Sequence, residues 1–169
     1  MQTGTLVSLQ EYLSTSYRPD VDYVEGELLE RNMGERDHAW LQGEIVFWLR
    51  LRAKELRIIP LPEIRVQIRP DRFRIPDIAA LSADAPFEPI IRHPPVLCIE
   101  ILSPEDRMKS IMRRVGEYLE IGVPTCWVLD PIDRLAWIAD ADGLHEVKDG
   151  VMRAGNIVLP LSDIWPESA

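Results

Sequence analysis

Two carboxylates stand where the surrounding residues leave little reason for charge. Glu100 lies inside the apolar run Val96-Leu97-Cys98-Ile99-Glu100-Ile101-Leu102, and Asp77 inside Arg74-Ile75-Pro76-Asp77-Ile78-Ala79-Ala80-Leu81. Both segments read as core strands. An ionised carboxylate left unpaired in a dry interior costs several kcal/mol or shifts its pKa far upward, so such a group pairs with a cation or binds a metal. Alternation puts Val96, Cys98, Glu100 and Leu102 on one face of the later strand, and Phe73, Ile75, Asp77, Ala79 and Leu81 on one face of the earlier. If these strands are neighbours, the two acids converge. A hard cation, Mg²⁺ or else Mn²⁺, prefers carboxylate oxygen and keeps several waters. Asp77, Glu100 and the backbone carbonyl of Ile101 would give it an incomplete shell open to a phosphate. The competing arrangement is a structural ion pair with Arg114, Arg107 or another arginine.

The elements that position these acids follow from pattern. Ser8-Leu9-Gln10-Glu11 has the spacing of a capping box, so a short helix starts there and ends before Pro19. Asp22 to Glu30 reads as a strand with acidic decoration, its charges at Asp22, Glu25, Glu27 and Glu30 forming a solvated edge. Asn32-Met33-Gly34 reads as a turn. A long helix runs from Asp37 to about Glu55, with Leu41, Ile45, Trp48 and Leu49 on its buried face. Glu44 falls on the adjoining stripe, either completing the site or facing solvent, and His38 opens the helix as a catalytic candidate or an ordinary hydrogen-bonded residue. After Pro60 and Pro62, Glu63 to Ile68 alternates as a strand. Ser103-Pro104-Glu105-Asp106 has the residues of a helix start, and the helix extends to about Ile121 with Met108, Ile111, Met112, Val115 and Leu119 buried. Strands at Thr125–Leu129 and Leu135–Ala139 follow, and Asp142-Gly143 and Asp149-Gly150 mark further antiparallel turns.

The whole chain sets outer limits. Its 169 residues, 46% hydrophobic and 28% charged, suffice for one domain with a substantial core. We therefore expect a single domain over 1–169, with its core at about 8–160. No run approaches the ~18 apolar residues of a membrane span, and Met1 to Thr5 does not resemble the start of a secretion signal, so a cytoplasmic protein with no membrane partner is expected. Cys98 and Cys126 lie in strand-like runs without a CxxC or Cys/His pattern, as core thiols do. The formal net charge of −9 weighs against nucleic-acid binding, since phosphate backbones are met by surplus Lys and Arg, although bound metal offsets part of it.

The order helix, strand, strand with Pro76-Asp77, strand with Glu100-Ile101-Leu102, helix, strand resembles the core of the PD-(D/E)XK nuclease superfamily. More narrowly, Tyr23-Val24-Glu25-Gly26-Glu27-Leu28, His38, Ile75-Pro76-Asp77-Ile78, Ile99 to Pro104, and Tyr118 to Val123 through Trp127 to Pro131 resemble the bacterial putative restriction endonuclease family. The resemblance implies a restriction-endonuclease-like α/β fold, with a mixed central sheet flanked by helices. It also implies Mg²⁺ on Asp77 and Glu100, DNA as substrate and a homodimer.

One departure bears on chemistry. The superfamily lysine belongs two residues after the glutamate, where this chain has Leu102. The narrower family often has it four residues before the helix tyrosine, where this chain has Arg114. Arg114 shares a stripe with Ile111 and Tyr118 and can direct positive charge at the acids, whereas Lys109 lies on another side of the helix. Arginine is no general base at neutral pH, but it stabilises developing phosphate charge. Three readings of function therefore remain, the first two being a Mg²⁺-dependent endonuclease and a nuclease-fold interaction module that has lost its chemistry. A metal-dependent hydrolase of small phosphorylated molecules is a third.

Overall fold

The computed structural model describes residues 6–31 and 35–167. The turn expected at Asn32-Met33-Gly34 lies outside these. Along the chain come α1 (Leu9–Ser14), β1 (Asp22–Val24), β2 (Glu27–Leu29), α2 (Arg36–Leu56), β3 (Ile58–Pro62), β4 (Val66–Arg69), β5 (Arg72–Arg74), β6 (Ile78–Ser82) and β7 (Leu97–Ile101). Then follow α3 (Met108–Glu120), β8 (Cys126–Asp130), β9 (Leu135–Asp140), β10 (Gly143–Glu146), β11 (Val151–Ala154) and β12 (Ile157–Pro160).

The central sheet has six strands in the order β10-β9-β8-β7-β6-β3. Its β7–β8 pair is parallel and the others are antiparallel, so it is the expected mixed sheet. A residue period of two divides β7 between two cores. Leu97, Ile99 and Ile101 pack with Leu41, Ile45 and Leu49 of α2 and with Met152, Ile157 and Leu159 of the β11–β12 hairpin. Cys98 packs on the opposite side with Ile111, Val115 and Tyr118 of α3. Full burial of each aliphatic side chain contributes about 1.5–3 kcal/mol, which holds the two helices against opposite faces. A smaller sheet, β2-β1-β5-β4, joins α1 through Tyr12, Val21, Tyr23 and Phe73. Among the described residues, no helix is long and apolar enough to cross a membrane.

Several elements differ from expectation, each for a local reason. Asp77 is not within a strand: Pro76 cannot donate to a ladder, so β5 closes at Arg74, β6 opens at Ile78 and Asp77 occupies the bend between. The segment from Asp22 is a hairpin rather than one strand, turning at Glu25 (φ 52°) and Gly26 (φ 95°), two successive positive φ values that suit a tight antiparallel turn. Pro60 and Pro62, which precede the expected strand, lie in a strand of their own, β3, an edge strand that needs no donors on its outer side. The alternation from Glu63 becomes strand only at Val66, because Glu63 itself is in a left-handed turn (φ 50°). Ser103 does not cap a helix: its amide donates to Asp106 Oδ2 at 2.7 Å in a turn of its own, and α3 starts only at Met108. The face of α3 turns accordingly, leaving Met108 exposed and burying Glu117 and Tyr118.

Candidate functional site

The two acids meet because β6 and β7 are antiparallel neighbours with Ile78 opposite Ile99, which brings Asp77, just before β6, to the end of β7 that holds Glu100 and Ile101. Asp77 is fixed from several directions. Its Oδ1 accepts from Arg31 Nη2 at 2.7 Å, and its Oδ2 accepts from the Ile101 amide at 2.7 Å and lies 3.3 Å from His38 Nε2. Gln42, one helical turn after His38 on α2, donates to the Asp77 carbonyl at 2.9 Å. Glu100 is held from the opposite face of the sheet, by Arg114 and Tyr118, a turn apart on α3. Arg114 Nη1 donates to its Oε2 at 3.1 Å and the Tyr118 hydroxyl to its Oε1 at 2.7 Å.

Behind Arg114 lies a second layer of charge. Asp22 Oδ2 is 3.3 Å from Arg114 Nη2 and 3.0 Å from Arg74 Nη1, while Asp22 Oδ1 accepts from the Ile75 amide at 3.0 Å. Glu117 is held by Arg74 Nε at 2.6 Å and Arg72 Nη1 at 2.8 Å. The small sheet thus braces α3, and through it Arg114, by ion pairs in which Asp22 is 1% exposed and Glu117 5%. The solvated acidic edge expected at Asp22 is therefore corrected: Asp22 points inward, while Glu25, Glu27 and Glu30 remain exposed.

Electrostatics follow from these partners. Burial pushes the Glu100 carboxyl up to about 7, against the opposing pull of Arg114, with the nearby Asp77 charge adding to the rise. Burial acts on Asp77 in the same sense, but the His38 hydrogen bond, the Arg31 charge and the Ile101 amide outweigh it and hold Asp77 below its ordinary value. For His38, burial disfavours the cation, yet the hydrogen bond to Asp77 raises its pKa overall. The surroundings thus favour the ionised form of Asp77 and push Glu100 toward protonation, a separation found in functional pairs. Burial likewise raises the Cys98 and Cys126 thiols, the latter to about 12, as befits core residues facing each other across β7 and β8.

A cleft of about 20 Å³ opens here, lined by Arg31, His38, Asp77, Ile101, Ser103, Asp106 and Arg114. It has room for about one water or ion. Glu100 is not among the lining residues, but Arg114, which is bonded to it, is. A wider cleft of about 250 Å³, lined by Glu30, Glu105, Asp106, Arg107, Ser110 and Arg114, shares Asp106 and Arg114 with the first. Among the described residues no group of three or more His, Cys, Asp or Glu could cage a metal. Mg²⁺ needs no such cage, since one or two carboxylates with waters and a substrate phosphate suffice. The donor chemistry of Asp77 and Glu100 fits such a cation, and their surroundings already select for positive charge, supplied here by Arg31 and Arg114.

Of the residues picked from sequence, Asp77, Glu100, Ile101, Arg114 and His38 come together. Ile101 meets Asp77 through its amide. Glu44 is half-buried on α2 and does not line the cleft, and Arg107 and Lys109 are exposed. Missed were Arg31 and Tyr118 as partners of the acids, and Asp22 as a partner of Arg114. Tyr118 had a signal in its spacing from Arg114, but Arg31 lies 46 residues from Asp77 and nothing in its own neighbourhood marks it.

A family model described as Uma2, putative restriction endonuclease, matches residues 9–160. The chain also shares its fold with the crystal structure of a putative nuclease belonging to DUF820 from Anabaena variabilis. The TM-score is 0.79 at 21% identity, over 94% of this chain and 97% of that one. No curated protein matches the chain.

Proposed function

The chain belongs to the Uma2 family of putative restriction endonucleases, and from there we propose that it is a metal-dependent endonuclease hydrolysing phosphodiester bonds in DNA. The observation that carries this is the convergence of Asp77 and Glu100 from the ends of neighbouring strand segments beside a small polar cleft. Asp77 and Glu100 are the residues to hold Mg²⁺, with Mn²⁺ as a substitute. Bound there, the cation would polarise the scissile phosphate and lower the pKa of a bound water.

The chain's own groups do the rest. Asp77, kept ionised by its neighbours, supplies a fixed negative oxygen: Arg31 and the Ile101 amide hold its carboxylate, and Gln42 holds its backbone carbonyl. Arg31 and Arg114 line the cleft, and Arg31 Nε is buried with no hydrogen-bond partner among the described residues, a donor available to a phosphate oxygen. Such preorganised cations stabilise charge that develops in the transition state. His38, held toward its protonated form by Asp77, is suited to donating a hydrogen bond or proton more than to accepting one. Cutting both strands of a duplex calls for two active centres, so a homodimer belongs to the same proposal.

A specific observation favours a second reading, a module that keeps the fold without the chemistry: all four carboxylate oxygens of Asp77 and Glu100 already accept from protein donors. Calorimetric titration of Mg²⁺ and Mn²⁺ into the parent and Asp77→Ala, followed by incubation with plasmid DNA, separates the two. The nuclease reading expects binding and cutting by the parent and neither by the variant. Absence of binding in both would leave the ion-paired module.

A further inference from the structure

Arg114 stands between two buried carboxylates, addressing each with a different nitrogen. Nη1 is 3.1 Å from Glu100 Oε2 and Nη2 is 3.3 Å from Asp22 Oδ2. Glu100 and Asp22 are each 1% exposed, so neither can turn to water for compensation. A divalent cation held by Glu100 would be repelled by the neighbouring Arg114 guanidinium, because buried charges are poorly screened. Arg114 must therefore release Glu100 for a cation to take its place. An arginine that simply left would strand Asp22 and expose a long side chain, and Glu117 offers no alternative because Arg72 and Arg74 already hold both its oxygens. Asp22 solves this. It is itself immobilised by the Ile75 amide and Arg74, it already binds the far side of the guanidinium, and Tyr118 keeps Glu100 in place through the other carboxylate oxygen.

We propose that Asp22 is a positioning residue that takes over Arg114 when a divalent cation occupies the Asp77–Glu100 centre, so that the arginine withdraws from Glu100 without losing a partner. This rests on the metal-dependent reading above and gives it a regulatory element: the chain carries its own counter-cation, exchanged between Glu100 and Asp22. Arg31, by contrast, pairs with Asp77 at 2.7 Å and competes there directly.

The test is Mn²⁺ affinity, measured by calorimetry on the parent, Asp22→Asn, Arg114→Gln and the double variant. Asn at 22 preserves shape and an acceptor for the Ile75 amide but leaves Arg114 only one carboxylate, Glu100. Asp22→Asn is expected to bind Mn²⁺ about tenfold or more weakly. Arg114→Gln should bind at least as well as the parent, and the double variant should match Arg114→Gln, since without the arginine Asp22 has nothing to receive. Asp22→Glu, which keeps a carboxylate, should retain affinity near that of the parent. A loss that persists in the double variant means Asp22 is merely structural and overturns the proposal, as does parent-like binding by Asp22→Asn. If Asp22→Asn does not fold, Arg114→Gln decides, since weaker Mn²⁺ binding by it than by the parent overturns the proposal. A parent that binds no Mn²⁺ overturns this proposal and the metal-dependent reading together, whereas a binding parent with an indifferent Asp22 overturns this one alone.

Discussion

Glu100 is the residue whose protonation state has most to do with how this protein behaves near neutral pH. Its carboxyl rises from 4.5 to about 7 on folding, because burial costs the charged form more than Arg114 returns. A group with a raised pKa binds its proton more tightly in the native state. Its contribution to stability is therefore complete below pH 4.5 and is lost as pH rises through about 7. His38, also raised, adds a loss of the same sign above 6.5. Asp77 and Glu117 are lowered and act oppositely, contributing above their unfolded values and losing that contribution as pH falls into the acid range. Stability is thus expected to decline from weakly acidic to neutral pH. Glu100→Gln, which cannot titrate, should flatten that decline in urea midpoints collected between about pH 5 and 8. An equally steep decline in the variant would assign the titration to His38 instead.

At the scale of elements, α3 matters most, because it delivers Arg114 and Tyr118 to Glu100 and Glu117 to the bracing arginines. Its end is fixed by Gly122 at φ 101°, with the Val123 amide donating to the Tyr118 carbonyl at 3.1 Å and the Gly122 amide to the Leu119 carbonyl at 3.1 Å. This is the paired closure of a Schellman motif, which needs a residue comfortable at positive φ. Gly122→Ala has open space apart from Pro94 at 3.5 Å, so its cost is conformational, about 1–2 kcal/mol. Chemical denaturation of the variant checks this: an unchanged midpoint would mean that the helix closes without the left-handed residue. The β1–β2 hairpin is the other decisive element. Its turn at Glu25-Gly26 and the pairing of β1 with β5 carry Asp22 beside Arg74, 52 residues away in sequence.

The molecule as a whole carries a net charge of −9, which sets a condition on the proposed substrate. DNA approaching an acidic protein is repelled at long range, so its attachment must depend on a local cluster of Arg31, Arg107 and Arg114 and on a cation at the acids. Fluorescence anisotropy with a labelled duplex should then show binding in Ca²⁺ that is weakened by salt and largely lost in EDTA. Binding of equal strength in EDTA would contradict attachment through a metal.

Sequence alone determined the things that depend on local physics. An acid within an apolar run has to be compensated, which singled out Asp77 and Glu100. Helical periodicity placed Arg114 and Tyr118 on one stripe and His38 at the head of a long helix, while the α/β fold with its mixed sheet was implied by the resemblance to a known family. Tertiary structure decided which compensation each acid receives. Arg31, Asp22 and the Arg72–Arg74–Glu117 cluster act across 43 to 52 residues of chain. No periodicity links residues so far apart, and a charge that pairs in the interior is indistinguishable in sequence from one that faces water until the chain has brought its partner alongside.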